Sequence, residues 1–377
     1  MFFPSRRFGV NVLLRAGATS VEKVEWTLPH GRRRLHAGVL PARSCLPEPS
    51  KAHAHSMKIL FYQPHSNHDT SDNDAWLRGL QQALPQAELR EWQPGDQASA
   101  DYAVVWRPPR ELFAGRHDLR AIFNLGAGVD AILGLEREFP GTLPREALLV
   151  RLEDTGMGQQ MVEYIAHAVL RYLRRFDEYE QLQQARRWKV LEPHPRATFT
   201  VGVMGLGVLG TQVAQALAAL GLPVRGFSRN AKRIEGIACS SGELHGAAFD
   251  AFLDGVKVLV NLLPHTPDTA DVMNARTFSK LARGAYLVNV ARGGHLVEHD
   301  LIDALAHGQI AAATLDVFRE EPLPADHPFW REPRITITPH SAAQTLRDES
   351  IEQVAHKIAS LARGEPISGI VERERGY

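Results

Sequence analysis

Three residues in the last quarter of the chain carry side chains that a carbonyl reduction needs. They are Arg292 in "NVARGG", Glu321 in "LDVFREEP" and His340 in "ITITPH". Each lies at or just beyond the end of an apolar, strand-like run. An arginine there can clamp a carboxylate and polarise the adjoining carbonyl. A histidine can give its proton to the developing alkoxide, imidazole being the side chain that exchanges protons near neutral pH. A glutamate can accept a hydrogen bond from the other ring nitrogen and fix the ring. Asp316, at the end of the same strand run as Glu321, either receives a carboxamide N–H₂ or caps a buried helix end. Taken singly, these residues have plainer readings: a surface arginine, a loop carboxylate before Pro322, a hydrogen-bonded histidine. As a set they describe the reduction of a 2-oxo acid, provided that a hydride donor sits beside them.

A place for that donor is written upstream. In "VGVMGLGVLGTQVAQAL" the segment Gly205, Leu206, Gly207, Val208, Leu209, Gly210 falls between a strand pattern and a helix pattern. Such glycines permit a tight turn, approach of the backbone to a pyrophosphate, and close helix–strand packing. The helix N-terminus presents free N–H groups to the anion. A structural turn without a ligand is the alternative, and it is disfavoured by the flanking strand and helix and by a second strand about 20 residues on. That second strand ends in "GFSRNAKR" (226–233), where an acid would take the ribose hydroxyls of NAD. The chain instead offers Ser228, Arg229 and Lys232, with Arg233 adding positive charge. A planar guanidinium matches a phosphate and an acid would repel it, so the segment points to NADPH in preference to NADH. A solvated basic loop is the alternative reading.

The elements that must position these groups follow a layered α/β pattern. From Met57 onward a first series of apolar runs comprises "KILFY", "YAVVW", "AIFNLG" and "ALLVRL". A second comprises "FTVGVMG", "PVRGFS", "VKVLVNLL", "AYLVNVA", "AAATLDVF" and "RITITPH". Six β-runs with helical crossovers predict a doubly wound parallel sheet, Rossmann-type, with ligands beyond the strand ends. Between the series, Met161, Val162, Ile165, Ala166, Val169, Leu170, Leu173 and Phe176 recur three or four apart, predicting one apolar helical face. The polar "FDEYEQLQQARRW" continues from it like an arm. A final helical segment near 347–363 is expected to return to the first unit.

Composition bounds the rest. The chain has 377 residues, 44% hydrophobic and 23% charged, which suits two domains. A formal net charge of zero gives no general pull toward nucleic acid or an anionic membrane. No apolar run approaches the roughly 20 residues of a membrane span. Cys45 and Cys239 stand far apart without metal-like spacing, which predicts no disulfide, no metal site and a reducing, cytoplasmic setting. Residues 1–56 carry nine Lys/Arg against three Glu, lack any sustained period, and read as a basic leader without a fold of its own. A transit peptide or a basic binding arm are the alternatives.

From Met57 to Tyr377 the chain resembles the D-isomer-specific 2-hydroxyacid dehydrogenase family. The resemblance rests on the glycine segment 205–210, "NLLPHTPDT", "LVNVARGG", "LDVFREEPLP" and "ITITPH". It implies a flavodoxin-like substrate domain from 57–157 plus 341–377, with a Rossmann-type nucleotide domain (158–340) inserted into it. It also implies a homodimer through the helix and arm at 158–190. Coenzyme contacts would extend to Leu263, Pro264, Thr269, Val290, Ala291 and Asp316. "RPPRELFAG", "LGAGVD" and "RLEDTGMGQQMVEY" are most similar to the glyoxylate/hydroxypyruvate reductase A group. That likeness places Gly126, Ala127 and Gly128 on the substrate carboxylate, with Trp106 and Met157 lining a small side-chain pocket; Trp106 as an ordinary core aromatic is the alternative. The expected activity is NADPH-dependent reduction of glyoxylate, hydroxypyruvate or a similar small 2-oxo acid. A dehydrogenase for another 2-hydroxy acid, or a nucleotide-sensing binding protein, are the competing readings.

Overall fold

The structure, a computed structural model, describes residues 56–64 and 71–377. The leader expected over 1–56 therefore lies, apart from Ser56, outside the described residues. The first sheet is made of β1 (Lys58–Tyr62), β2 (Glu88–Glu91), β3 (Tyr102–Val105), β4 (Ala121–Asn124) and β5 (Leu148–Arg151). Its order, β2-β1-β3-β4-β5, is the flavodoxin-like arrangement. The second comprises β6 (Val201–Met204), β7 (Val224–Ser228), β8 (Ala238–Ser241), β9 (Val258–Asn261), β10 (Ala285–Asn289), β11 (Ile310–Leu315) and β12 (Ile335–Ile337). Its order, β12-β11-β10-β9-β6-β7-β8, is the Rossmann arrangement with one further edge strand. Every strand pairing is parallel.

Both sheets are covered on two faces, so their central strands are buried and largely apolar, with Asn124, Asn261 and Asn289 closing β4, β9 and β10. β3, β4, β6, β9 and β10 are buried at every position. The helices are α1 (Ser71–Ala83), α2 (Asp130–Glu138), α3 (Met157–Leu173), α4 (Phe176–Gln184), α5 (Val208–Ala219), α6 (Ala247–Leu253), α7 (Ala275–Lys280), α8 (Glu298–Ala306) and α9 (Arg347–Ala362). None among the described residues is long and apolar enough to cross a membrane.

Two expectations need correction. The second sheet has seven strands, not six, because β8 ("ACSS") is a partly exposed edge strand with no apolar run to betray it. The apolar face of 161–176 is also shorter than its spacing suggested. Arg175 adopts a left-handed conformation (φ 57°), which ends α3 and resets the helical phase. Phe176 therefore opens α4 and is exposed, while Met161, Ile165, Val169 and Leu173 are buried in α3.

The chain crosses between the sheets twice. After β5 it enters α3, which joins the core of the second sheet. After β12 it enters α9, whose Ile351, Val354 and Ile358 pack into the first. The crossings are stitched together by Gln160. Its amide donates to the carbonyl of Gln344 (2.9 Å) and accepts from the amide of the same residue (3.1 Å).

Candidate active site

A cavity of about 1010 Å³ opens between the two sheets, beyond the carboxyl ends of β6, β7, β9 and β10. The first sheet contributes Trp106 after β3 and Gly126, Ala127 and Gly128 after β4; Met157 begins α3. The second contributes the whole segment 205–210, then Ser228, Arg229 and Lys232 after β7, and Leu263, Pro264 and Thr269 after β9. Val290, Ala291, Arg292, Asp316 and His340 complete that wall. Of the candidate site residues singled out from sequence, Glu321 and Arg233 are off the wall; Glu321 stands behind His340.

The three glycines have separate physical reasons. Gly205 is at φ 95°, and a Cβ there would sit 2.6 Å from the Leu262 carbonyl oxygen. A Cβ on Gly210 would strike the Gly205 carbonyl at 1.8 Å, so that helix and turn pack only without one. At Gly207 a Cβ would meet nothing within 4 Å: the backbone faces open space at the N-terminus of α5. That open, amide-lined cradle is the shape a pyrophosphate requires.

At the outer end, Ser228 is buried and donates to the carbonyl of Asn230 (2.8 Å), which shapes the turn. Lys232 reaches back to the carbonyl of Leu206, clipping the basic loop to the glycine turn. Arg229 pairs with Asp268 at 2.7 Å.

At the inner end, Nδ1 of His340 lies 2.8 Å from Glu321 Oε2, and Glu321 Oε1 accepts from the Phe318 amide at 3.0 Å. Nε2 is then the imidazole nitrogen left for chemistry. His340 adopts φ 53°, an uncommon conformation for a non-glycine residue, and its amide donates to the Asp316 carbonyl at 2.8 Å. The Asp316 carboxylate accepts from Thr338 Oγ1 (2.6 Å), the Ser341 amide (2.8 Å) and the Ala342 amide (2.9 Å). Asp316 thus has the capping task that was its alternative reading, at the turn carrying His340 rather than at a helix end.

Arg292 crosses the cleft. Its Nη2 lies 3.0 Å from Asp130 Oδ1 and its Nε donates to both carboxylate oxygens at 3.1 and 3.2 Å. Burial acts to raise the Asp130 carboxyl, but the charge and hydrogen bonds of Arg292 outweigh it and hold it below the ordinary carboxylate range. A Cβ on Gly128 would lie 2.0 Å from Arg292 Nη2, so this glycine admits the guanidinium. Asn124 fixes the same loop by donating to the carbonyls of Gly126 (3.0 Å) and Gly128 (2.9 Å). Trp106 is packed against the first core as well as the cavity, and a Cβ on Gly126 would lie 2.5 Å from its ring.

Sequence reasoning missed Asp130 and a buried polar hub formed by Asn261, Asn289 and His295. Asn261 donates to Asn289 Oδ1 (3.0 Å) and to His295 Nδ1 (2.9 Å), so that His295 Nε2 carries the proton and donates to the Pro264 carbonyl (3.2 Å). Asn289 in turn donates to the Arg292 carbonyl (3.1 Å). The hub ties the loop after β9 to the loop bearing Arg292. Burial first, then neighbouring His265, push the His295 imidazole down to about 4, keeping it neutral. An asparagine closing each of two adjacent apolar strands was the available signal.

The chain has well-defined relatives. The family described as D-isomer specific 2-hydroxyacid dehydrogenase, NAD binding domain, matches residues 166–342. The glyoxylate/hydroxypyruvate reductase A of Serratia proteamaculans is 56% identical over 321 residues, covering 85% of this chain and 100% of that protein. A D-isomer specific 2-hydroxyacid dehydrogenase from Xanthobacter autotrophicus, solved with NADPH and MES, shares 38% identity at a TM-score of 0.77, covering 85% of this chain and 100% of that one. The NADPH-dependent glyoxylate/hydroxypyruvate reductase of Sinorhizobium meliloti, solved with NADP and sulfate, shares 35% identity at a TM-score of 0.76 over the same shares.

Proposed function

Because the chain belongs to the D-isomer-specific 2-hydroxyacid dehydrogenase family, we propose that it reduces glyoxylate, hydroxypyruvate or a similar small 2-oxo acid to the 2-hydroxy acid, using NADPH in preference to NADH. The observation that carries this reading is the 2.8 Å contact of His340 with Glu321 on the cavity that also holds Arg292 and the glycine turn. The family relatives solved with NADPH or NADP support the coenzyme.

The residues present fit that coenzyme. Gly207 opens toward the pyrophosphate, Ser228 and Arg229 stand where the 2′-phosphate would lie, and Leu263, Pro264, Thr269, Val290 and Ala291 line the way to the inner end. When bound, NADPH supplies the hydride. Arg292 binds the substrate carboxylate together with the backbone of 126–128 and polarises the carbonyl. His340 gives the Nε2 proton to the carbonyl oxygen, and Glu321 accepts the Nδ1–H bond, which fixes the ring. Trp106 and Met157 bound the space for the substrate's side group.

The substrate domain comprises 57–157 and 341–377, and the nucleotide domain 158–340. The segment 158–190 pairs two copies into a homodimer, a reading supported by the exposed Phe176, Trp188 and Val190 along it. The free thiol of Cys239 suits a cytoplasmic setting.

A panel of small 2-oxo acids assayed with NADPH tests the activity directly. Glyoxylate or hydroxypyruvate should lead the panel, and His340→Ala should lower kcat about 10²–10⁴-fold while NADPH affinity is kept. No turnover on any member, with NADPH still bound, would leave a nucleotide-binding role instead.

A further inference from the structure

The chain beyond α9 leaves the sheet on which it is anchored. Residues 369–371 run antiparallel to β5: the Arg151 amide donates to the Gly369 carbonyl (2.9 Å) and the Val371 amide to that of Leu149 (2.8 Å). Arg373 donates to the carbonyls of Pro144 (3.0 Å) and Ala147. The segment is thus rooted in the first sheet. It then turns, with the Arg375 and Gly376 amides donating back to the Glu372 carbonyl at 2.9 and 3.0 Å, and ends against loops of the second sheet. Gly376, at φ 85°, lies against Thr266; a Cβ there would be 3.1 Å from the threonine methyl. The Tyr377 ring faces the guanidinium of Arg229, whose Cζ lies 5.6 Å from the ring centroid. Both residues line the cavity.

Arg229 gains from such a neighbour. Its ion pair with Asp268 is exposed to solvent, where pairs contribute little and leave a long side chain loosely held. An aromatic ring attracts a guanidinium through the ring face, and the flat cation keeps edge N–H groups free for a phosphate.

We propose that Tyr377 is a positioning residue for coenzyme choice: the strap carries it across the cleft to hold Arg229 with its edge toward the 2′-phosphate of NADPH. This rests on the reading of Arg229 as the ligand of that phosphate. The role of Tyr377 is to restrict the guanidinium, so it affects NADPH and not NADH.

The test is the Kd of NADPH and of NADH, measured by fluorescence titration for wild type, Arg229→Ala, Tyr377→Ala, Tyr377→Phe and the Arg229→Ala/Tyr377→Ala double variant. Tyr377→Ala should weaken NADPH about two- to fivefold, the scale of a cation–π contact at an exposed site, and leave NADH unchanged. Tyr377→Phe should match wild type, and the double variant should bind NADPH no worse than Arg229→Ala. If Arg229→Ala is selective for NADPH but Tyr377→Ala weakens both coenzymes equally, weakens neither, or adds to Arg229→Ala, the role of Tyr377 is overturned and the phosphate reading stands. If Arg229→Ala weakens both coenzymes equally, the phosphate reading falls and the proposal falls with it.

Discussion

Two arginines line one cavity, each paired with a carboxylate, yet they hold those partners on different terms. Arg292 and Asp130 come from different sheets, make three contacts of 3.0–3.2 Å, and are only 29% and 28% exposed. Arg229 and Asp268 meet once, at 2.7 Å, and are 42% and 73% exposed. The inner pair is largely shielded from water and salt, so the guanidinium is held in one orientation. The outer pair is screened and exchangeable. The difference teaches where the site tolerates change: the end bearing Arg292 is held by both sheets, whereas the end bearing Arg229 hangs on a surface loop.

Removing the inner arginine should have the largest effect. On the proposed role of Arg292, in which it binds the carboxylate in ground and transition states, Arg292→Ala should lower kcat/KM for glyoxylate about 10²–10³-fold, through both a higher KM and a lower kcat. An unchanged KM would show that the carboxylate is bound elsewhere. Next comes Arg229→Ala, which should weaken NADPH about 10- to 150-fold, the loss of a charge-assisted hydrogen bond, with NADH little altered. Adding Ser228→Asp should move preference further toward NADH. A wild-type enzyme that already prefers NADH would remove the outer half of the comparison.

Smaller effects sharpen the contrast. Asp130→Asn keeps the shape but removes the charge that orients Arg292; kcat should fall about tenfold with NADPH affinity unchanged. Because the Asp130 carboxyl is held below its ordinary range, the pair's contribution is present above that range and is lost only as pH falls through the lowered value. Kinetic profiles between about pH 5 and 9 should therefore show no limb from Asp130. A limb that disappears in Asp130→Asn would contradict this. Smallest is the salt response: from about 0.05 to 0.5 M ionic strength, the NADPH KM should rise about two- to threefold more than the NADH KM, since the outer cation is screened.

Much of this arrangement could be read from the chain because burial on two faces writes itself into the residues. β6, β9 and β10 are apolar runs, the last two closed by an asparagine, and the glycine turn sits between one of them and a helix. The edge strands β2 ("ELRE") and β8 ("ACSS") face solvent and keep no such record. The helix break at Arg175 was hidden because its left-handed backbone is not marked by glycine or proline. His340, Glu321 and Arg292 were visible through their short motifs at strand ends. Asp130 was not, since its partner lies 162 positions away and nothing local to an aspartate announces a distant arginine.

The double crossing has a consequence for how such a molecule can be altered. With Gln160 bridging to Gln344, the two joints lie side by side. The inserted portion therefore leaves and re-enters its host at neighbouring points, as a cassette does. Exchanging it for the corresponding piece of a relative asks for two cuts at one place on the surface of the host fold, whose own sheet order is untouched. Shuffling of coenzyme modules among relatives, whether by recombination or at the bench, has a natural seam there.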